Sequence, residues 1–258
     1  MAGAIRLLVG LGNPGKDYER TRHNAGFWLV ERFAAQSGVP LRKDGKYQAL
    51  VGRMPNNGAW LVLPQGFMNA SGHAVQMLAG FFKIPPAEIL VAHDELDFAP
   101  GTAKLKQGGG IAGHNGLKDI SQRLGSHDYW RLRLGIGHPG DRNLVTDYVL
   151  NRPSVEDKAI IDEAIARSLE VLPLCLAGDL QGAMMKLHTV EKASEKEKPV
   201  AKEKPVVKEK PAAKEKPVEK EKPVEKKAEA KPEPKVEVPP QKPASKGLFG
   251  SLFSKTKK

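Results

Sequence analysis

The chain holds one cysteine, Cys175, so no disulfide framework can form within it, and nothing in it asks for an oxidising compartment. No apolar run reaches the roughly 18 residues of a membrane span. The segment Met1–Gly12 has neither the apolar stretch nor the cleavage site of a secretory leader, so the expectation is a soluble cytoplasmic protein. Without such a leader, Asn69-Ala70-Ser71 is a chance match to a glycosylation sequon. There is no Gly-x-Ser-x-Gly elbow, no His-Glu-x-x-His zinc pattern and no Walker P-loop. Cys175 lies in the apolar stretch Leu172–Leu176 and reads as a core residue, not a nucleophile. If this chain is a hydrolase, water itself is the nucleophile.

What is present divides in two. Residues 1–190 carry 21 Lys+Arg against 18 Asp+Glu, a net of +3, while the rest carries +8 of the total +11. The pI of about 9.6 therefore comes mostly from the tail and says little about what the folded part binds. Residues 1–190 read as one globular domain, long enough to bury a substantial core. Residues 191–245 are dominated by Lys, Glu, Pro, Val and Ala. Lys-Glu-Lys-Pro recurs every six residues from Lys196 to Lys220, and proline at that spacing forbids a continuous helix. With so little large apolar content the segment is expected to be disordered, a solubilising linker. Residues 246–258 differ again: two Phe and two Leu between lysines suit docking on a protein, the ribosome or an anionic surface as well as a sticky end without function.

Within 1–190, Ile5–Gly10 reads as a buried strand. Ala25–Gln36 has helical apolar spacing and a stop at Gly38. Tyr47–Met54 and Trp60–Leu63 flank Pro55-Asn56-Asn57-Gly58, a hairpin signature. Ser71–Phe82 is an amphipathic helix halted before Pro85-Pro86, and Ile89–Ala92 a buried strand that delivers His93-Asp94-Glu95. A short strand Ala103–Lys106, a glycine loop at 108–110 and a helix His114–Leu124 follow. Arg131–Ile136 alternates basic and apolar residues like a half-solvated strand, and Val155–Leu172 and Asp179–Leu187 are closing helices. The alternation predicts an α/β fold with a twisted mixed sheet flanked by helices. Ligands of such sheets bind at the carboxyl ends of the strands, where Asn13 and Asp94 fall.

Attack by water needs a base, a group to orient that base, and donors for the developing oxyanion. Histidine suits the base and a carboxylate on its other nitrogen suits the orienting role. Asparagine amides grip peptide-like groups without titrating. The chain offers His23 just before a helix, Asp94 at a strand end, and Asn13, Asn69 and Asn115 in loops or at helix starts. Spacing alone does not bring them together, and His93 and His138 read equally well as structural turn residues.

Gly10-Leu11-Gly12-Asn13-Pro14-Gly15 followed by Thr21-Arg22-His23-Asn24-Ala25-Gly26 closely resembles the opening of bacterial peptidyl-tRNA hydrolases. Phe67-Met68-Asn69-Ala70-Ser71-Gly72, His93-Asp94-Glu95-Leu96-Asp97, Gly108–Gly110 with Gly113-His114-Asn115-Gly116-Leu117, and Arg131-Leu132-Arg133-Leu134-Gly135-Ile136-Gly137-His138-Pro139 continue it in family order. Each motif alone is weak, but together they span residues 4–190 and are specific. The resemblance implies hydrolysis of the ester between peptide and tRNA by a monomer with no metal or cofactor. His23 would activate water and Asp94 would orient His23. Asn13 and Asn69 would line the peptide and terminal-adenosine region, Asn115 would hold substrate and water, and Met68 would form pocket wall. Lys106, Arg133 and, more loosely, Arg142 would contact tRNA. One departure stands out: between Gly110 and Gly113 the family often has His-Gly or Ser-Ala-like pairs, whereas this chain has Ile111-Ala112. That loop is thought to gate the peptide channel, and Ile111 makes it more apolar and stiffer.

Two other readings compete. Asp94, Glu95 and Asp97 offer hard oxygen ligands to a metal, although the resembling family is metal-free. A non-catalytic RNA-binding protein is the rival from another class, since a chloroplast intron-splicing factor resembles the same hydrolases. The presence of His23, Asp94, Asn13, Asn69 and Asn115 together favours the enzyme.

Overall fold

The computed structural model describes residues 3–197, with side chains as far as residue 189. Seven strands form one sheet in the order β2-β3-β4-β1-β5-β7-β6. They are β1 (Leu7–Gly10), β2 (Arg42–Asp44), β3 (Ala49–Arg53), β4 (Trp60–Pro64), β5 (Ile89–Glu95), β6 (Ala103–Gln107) and β7 (Trp130–Gly135). The inner strands β4, β1, β5 and β7 run parallel, while β2, β3 and β6 add antiparallel pairings toward the edges. The sheet is mixed, as the hairpin motif required.

Alternate residues of the central strands feed two cores. Leu8, Leu90, Ala92, Leu132 and Leu134 face a layer that includes α1 (Ala25–Gln36), α5 (Val155–Ala177) and α6 (Leu180–Glu197). Leu7, Val9, Ile89 and Val91 face α2 (Ser71–Phe82) and α3 (Asn115–Leu124). With helices on both faces, β1, β4 and the first half of β5 are apolar runs, as buried parallel strands are. A short helix, α4 (Val145–Leu150), follows β7. No described helix is long and apolar enough to cross a membrane.

Several boundaries depart from the sequence expectation. Strand β5 runs on through His93, Asp94 and Glu95, all buried, so these are strand residues and not turn residues. Strand β7 is not half-solvated: Arg131 is only 3% exposed, because the glycine loop covers it. Helix α5 continues past Leu172 through Pro173 to Ala177. Proline removes one helical hydrogen bond, but Cys175 and Leu176 continue the buried face that Leu169 and Leu172 begin. Helix α6 continues to Glu197, beyond the expected domain end at residue 190. The remaining tail expectations, for 198–245 and 246–258, lie outside the described residues. Cys175 is fully buried and burial pushes its thiol up to about 12, which fits the core role.

Two glycines bring the start of α1 against the ends of β1 and β5. A Cβ on Gly26 would lie 2.2 Å from the Ala92 carbonyl oxygen and 2.5 Å from the Leu11 nitrogen. A Cβ on Gly10 would lie 2.5 Å from the Gly26 carbonyl oxygen. In that gap Leu11 N–H donates to Ala92 at 3.0 Å and Phe27 N–H donates to Leu11 at 3.1 Å. This close approach carries the residues just before α1 to the end of β5. Gly26→Ala should therefore destabilise by about 3 kcal/mol, since the added methyl meets backbone that cannot swing aside. Urea unfolding measures it, and a loss within experimental error would show that the gap can widen freely.

Candidate active site

A 3-10 turn, Arg22–Asn24, sits in front of α1 and presents His23 to the end of β5. His23 Nδ1 lies 3.0 Å and 2.9 Å from the two carboxylate oxygens of Asp94. Because a carboxylate only accepts, Nδ1 carries the proton and donates it, leaving a bare lone pair on Nε2 of the neutral ring. Both side chains are buried, and His23 lines a cleft of about 740 Å³, a volume suited to a small-molecule-sized group. Burial opposes charge on His23, but the Asp94 charge and hydrogen bond outweigh it, so its pKa lies above the ordinary value. Burial likewise opposes charge on Asp94, yet His23 and His114 hold its pKa well below the usual carboxylate range.

His114 completes the arrangement, and sequence reasoning gave it no role beyond starting a helix. Its Nε2 lies 3.0 Å from Asp94 Oδ1. Its Nδ1 caps α3, accepting from Gly116 N–H at 3.1 Å and Leu117 N–H at 3.4 Å. An acceptor Nδ1 has no proton, so the neutral ring carries its proton on Nε2 and donates it to Asp94. Asp94 thus receives two imidazole donors, one from each side.

This tautomer bears on the metal reading. Among the described residues, the ligand atoms of His23, Asp94 and His114 lie within 4.8 Å of one another. A metal on His114 Nε2 would force the neutral ring's proton onto Nδ1, against two backbone N–H groups. The donor set does not fit a metal. The acidic motif does not gather into an oxygen cage either: Glu95 Oε2 accepts from Arg133 at 2.8 Å, and Oε1 from Asp97 N–H at 3.2 Å.

Asn13 is gripped on its backbone by Asn24, whose Oδ1 accepts from Asn13 N–H and whose Nδ2 donates to Asn13 O, both at 2.9 Å. The Asn13 side-chain oxygen accepts from Met68 N–H at 2.7 Å. Its amide NH2 has no described partner, and Asn13 lines the cleft. Met68 is buried in the wall, whereas Asn69 and Asn115 are exposed at the rim, Asn115 as the first residue of α3.

Of the residues expected at the site, His23, Asp94, Asn13, Met68, Asn69, Asn115 and Arg142 meet in this cleft. Lys106 and Arg133 do not line it. They lie on the flank formed by β6 and β7, where Lys106 pairs with Arg131 and Lys104 with Arg133. Arg133 is held by Glu95 and stacks over Phe98 at 4.2 Å. The aromatic pair Tyr18 and Phe67, with centroids 6.1 Å apart, also lines the cleft and was not singled out from sequence.

His93 lies behind His114, with ring centroids 5.1 Å apart. Its Nδ1 donates to the Asp94 carbonyl at 2.6 Å, and burial pushes its pKa down to about 3. Its folded-state value is below the unfolded one, so neutral pH costs nothing. As pH falls through 6.5 the unfolded chain takes a proton that the folded chain refuses until about 3. Stability is lost across that window at up to about 1.4 kcal/mol per pH unit. Asp94 adds to the loss at its acid end, while His23, whose value is raised, adds stability as pH falls toward 6.5 and is constant below it. His93→Gln should flatten the decline, read as melting temperature between about pH 7 and pH 4. An unchanged slope would remove His93 as its source.

Comparison with known proteins places this cleft in a family. Residues 7–197 match the model of the Peptidyl-tRNA hydrolase family. The chain is 53% identical over 191 residues to the peptidyl-tRNA hydrolase of Nitrosospira multiformis, covering 73% of this chain and 100% of the relative. It is 55% identical over 189 residues to that of Methylobacillus flagellatus, covering 73% and 98%. The crystal structure of peptidyl-tRNA hydrolase from Acinetobacter baumannii superposes with a TM-score of 0.69 at 44% identity, covering 71% of this chain and 94% of that one. The chain belongs to the peptidyl-tRNA hydrolase family.

Proposed function

We propose that His23 deprotonates a water molecule in the cleft, and that this water attacks the carbonyl joining a peptide to the 3′ end of tRNA. Membership of the family makes hydrolysis of peptidyl-tRNA the reaction of this chain. The observation that carries the mechanism is the His23–Asp94 contact, which leaves Nε2 unprotonated on a ring that lines the cleft. Water loses its proton to Nε2 and its oxygen bonds to the ester carbon. The ester C–O bond then breaks, and the leaving ribose oxygen takes the proton back from the imidazolium. Asp94 holds the tautomer and stabilises the imidazolium without itself being protonated.

The other residues divide the substrate between them. The Asn13 amide donates to the peptide, Asn69 holds the peptide or terminal-adenosine end, and Met68 forms apolar wall. Asn115, at the positive end of the α3 dipole, steadies water and developing negative charge. Selectivity against aminoacyl-tRNA comes from contacts with the first peptide bond that a free amino group does not satisfy. The cleft is complete within one chain, which supports action as a monomer.

On the flank, the like-charged pairs Lys106–Arg131 and Lys104–Arg133 stand directly opposite each other across β6 and β7. Glu95 answers the charge of Arg133 and the loop carbonyls of Gly109 and Gly110 hold Arg131, which leaves Lys106 as the exposed cation of this ladder. This supports docking of the acceptor stem by Lys106 and Arg133, with Arg142 at the cleft contacting the same RNA. Phosphate contacts position RNA without reading its bases. Lys106→Ala should weaken tRNA binding at low salt and reduce the slope of log affinity against log salt by about one contact. An unchanged slope would remove Lys106 from the RNA interface.

The reaction is tested by release of peptide from N-acetylaminoacyl-tRNA, with aminoacyl-tRNA as the control. The blocked substrate should be cleaved and the free one spared. Binding of tRNA without release would support the non-catalytic RNA-binding reading instead, which the intact His23–Asp94 pair disfavours.

A further inference from the structure

The loop 108–113 between β6 and α3 adopts a conformation that does not hold itself. Gly108, Gly109, Ala112 and Gly113 all have positive φ, and for Ala112, at +46°, the Cβ makes this conformation strained. Gly108 N–H donates to the Tyr129 carbonyl at 2.9 Å where the loop leaves β6, and two further contacts hold the rest down. The Arg131 guanidinium donates to the carbonyls of Gly109 and Gly110. Ile111 packs against the core cluster that contains Met68, Leu11 and Leu117. Arg131 is buried, forms no described ion pair with a carboxylate, and its Nε has no described partner. Burying a guanidinium on these terms is strongly unfavourable, because its lost hydration is not repaid by a carboxylate. A purely structural filler would be better served by an apolar side chain.

The loop ends at the site. His114 N–H donates to the Ile111 carbonyl at 2.8 Å, and the His114 ring then reaches Asp94. We propose that Arg131 is a positioning residue: by pinning Gly109 and Gly110 it seats His114 on Asp94, and so sets how strongly Asp94 draws a proton onto His23. The loop thereby reports its seating to the base. His114 shares Oδ1 of Asp94 with His23, and its N–H points its positive end toward any charge that forms there. Freed of His114, Asp94 serves His23 alone, and the imidazolium becomes easier to form.

The charged neighbours bear this out. His23 faces Asp94 from β5 and His114 from the start of α3. Arg22 turns away to Asp157 at 3.5 Å. Behind His114 lies His93, with Arg131 beyond it on β7. Glu95 is taken by Arg133, and Asp97, His138 and Arg142 line the cleft.

The inference rests on His23 being the base, so its test reads the imidazole directly. Full-length protein with 15N-labelled histidine is titrated by NMR, as wild type, Arg131→Gln, His114→Asn and the double variant. Arg131→Gln should raise the His23 midpoint by about half to one pH unit and blur the single tautomer of His114. The acid limb of kcat/KM should move with it. In the His114→Asn background, Arg131→Gln should add nothing. A fall in melting temperature with the midpoint unmoved would overturn the proposal, as would a shift that persists without His114. If Arg131→Gln does not fold, Ile111→Ala loosens the same loop and must give the same upward shift. An NMR shift seen in a protein whose hydrolysis does not depend on His23 would sink the base assignment and leave the loop coupling standing.

Discussion

His23→Ala should lower kcat for peptidyl-tRNA hydrolysis by about a thousandfold while leaving tRNA binding within about twofold of wild type. The separation follows from the geometry. The imidazole lies in the cleft at the end of β5, whereas the basic ladder that would hold RNA lies on β6 and β7. Truncation leaves Asp94 with one donor, His114, in place of two, so the carboxylate is not orphaned and the fold should survive. Single-turnover release with saturating enzyme measures the chemical step, and filter binding measures the complex. A variant that retains more than about a tenth of the wild-type rate would require another base. The cleft offers no described histidine with the same placement: His114 Nδ1 and Nε2 are both engaged, His93 is buried behind it, and His138 has no described carboxylate partner to orient it.

The sequence made much of this legible, for physical reasons that also explain the gaps. Helices α1 and α2 could be read end to end, because their apolar stripes are regular and Gly38 and Pro85-Pro86 mark where they stop. The hairpin at residues 55–58 announced the mixed sheet. Strand β2 is Arg-Lys-Asp, with no apolar alternation to reveal it, and exists only because β3 offers an edge. Arg131 looked solvated because a buried guanidinium paired with backbone carbonyls leaves no sequence signature. His23 and Asp94 were nominated by residue type and resemblance, yet their meeting depends on the glycine gap at Gly10 and Gly26, which is a packing fact. His114 was hidden for a related reason. Its position before a helix was visible, but its ring reaches Asp94 only because the loop before it bends through four left-handed residues.

That hidden ring makes Asp94→Asn the more revealing substitution. An amide in place of the carboxylate has one oxygen and one NH2 to meet two imidazole donors. His114 cannot turn its proton around, because its Nδ1 is committed to Gly116 and Leu117. The amide oxygen must therefore stay with His114, and the NH2 must face His23. An NH2 facing Nδ1 forces the proton of neutral His23 onto Nε2, the nitrogen that has to be bare to accept a proton from water. Asp94→Asn should thus lose activity by about a thousandfold to ten-thousandfold, although its side chain is nearly isosteric. Its His23 midpoint should fall below wild type, since the charge that raises it is gone. NMR would show His23 in the opposite tautomer. Adding His23→Ala to Asp94→Asn should cost little more, because groups that act as one unit do not lose activity additively. Near-wild-type turnover by Asp94→Asn, or full additivity in the double variant, would mean that the carboxylate and the imidazole work separately.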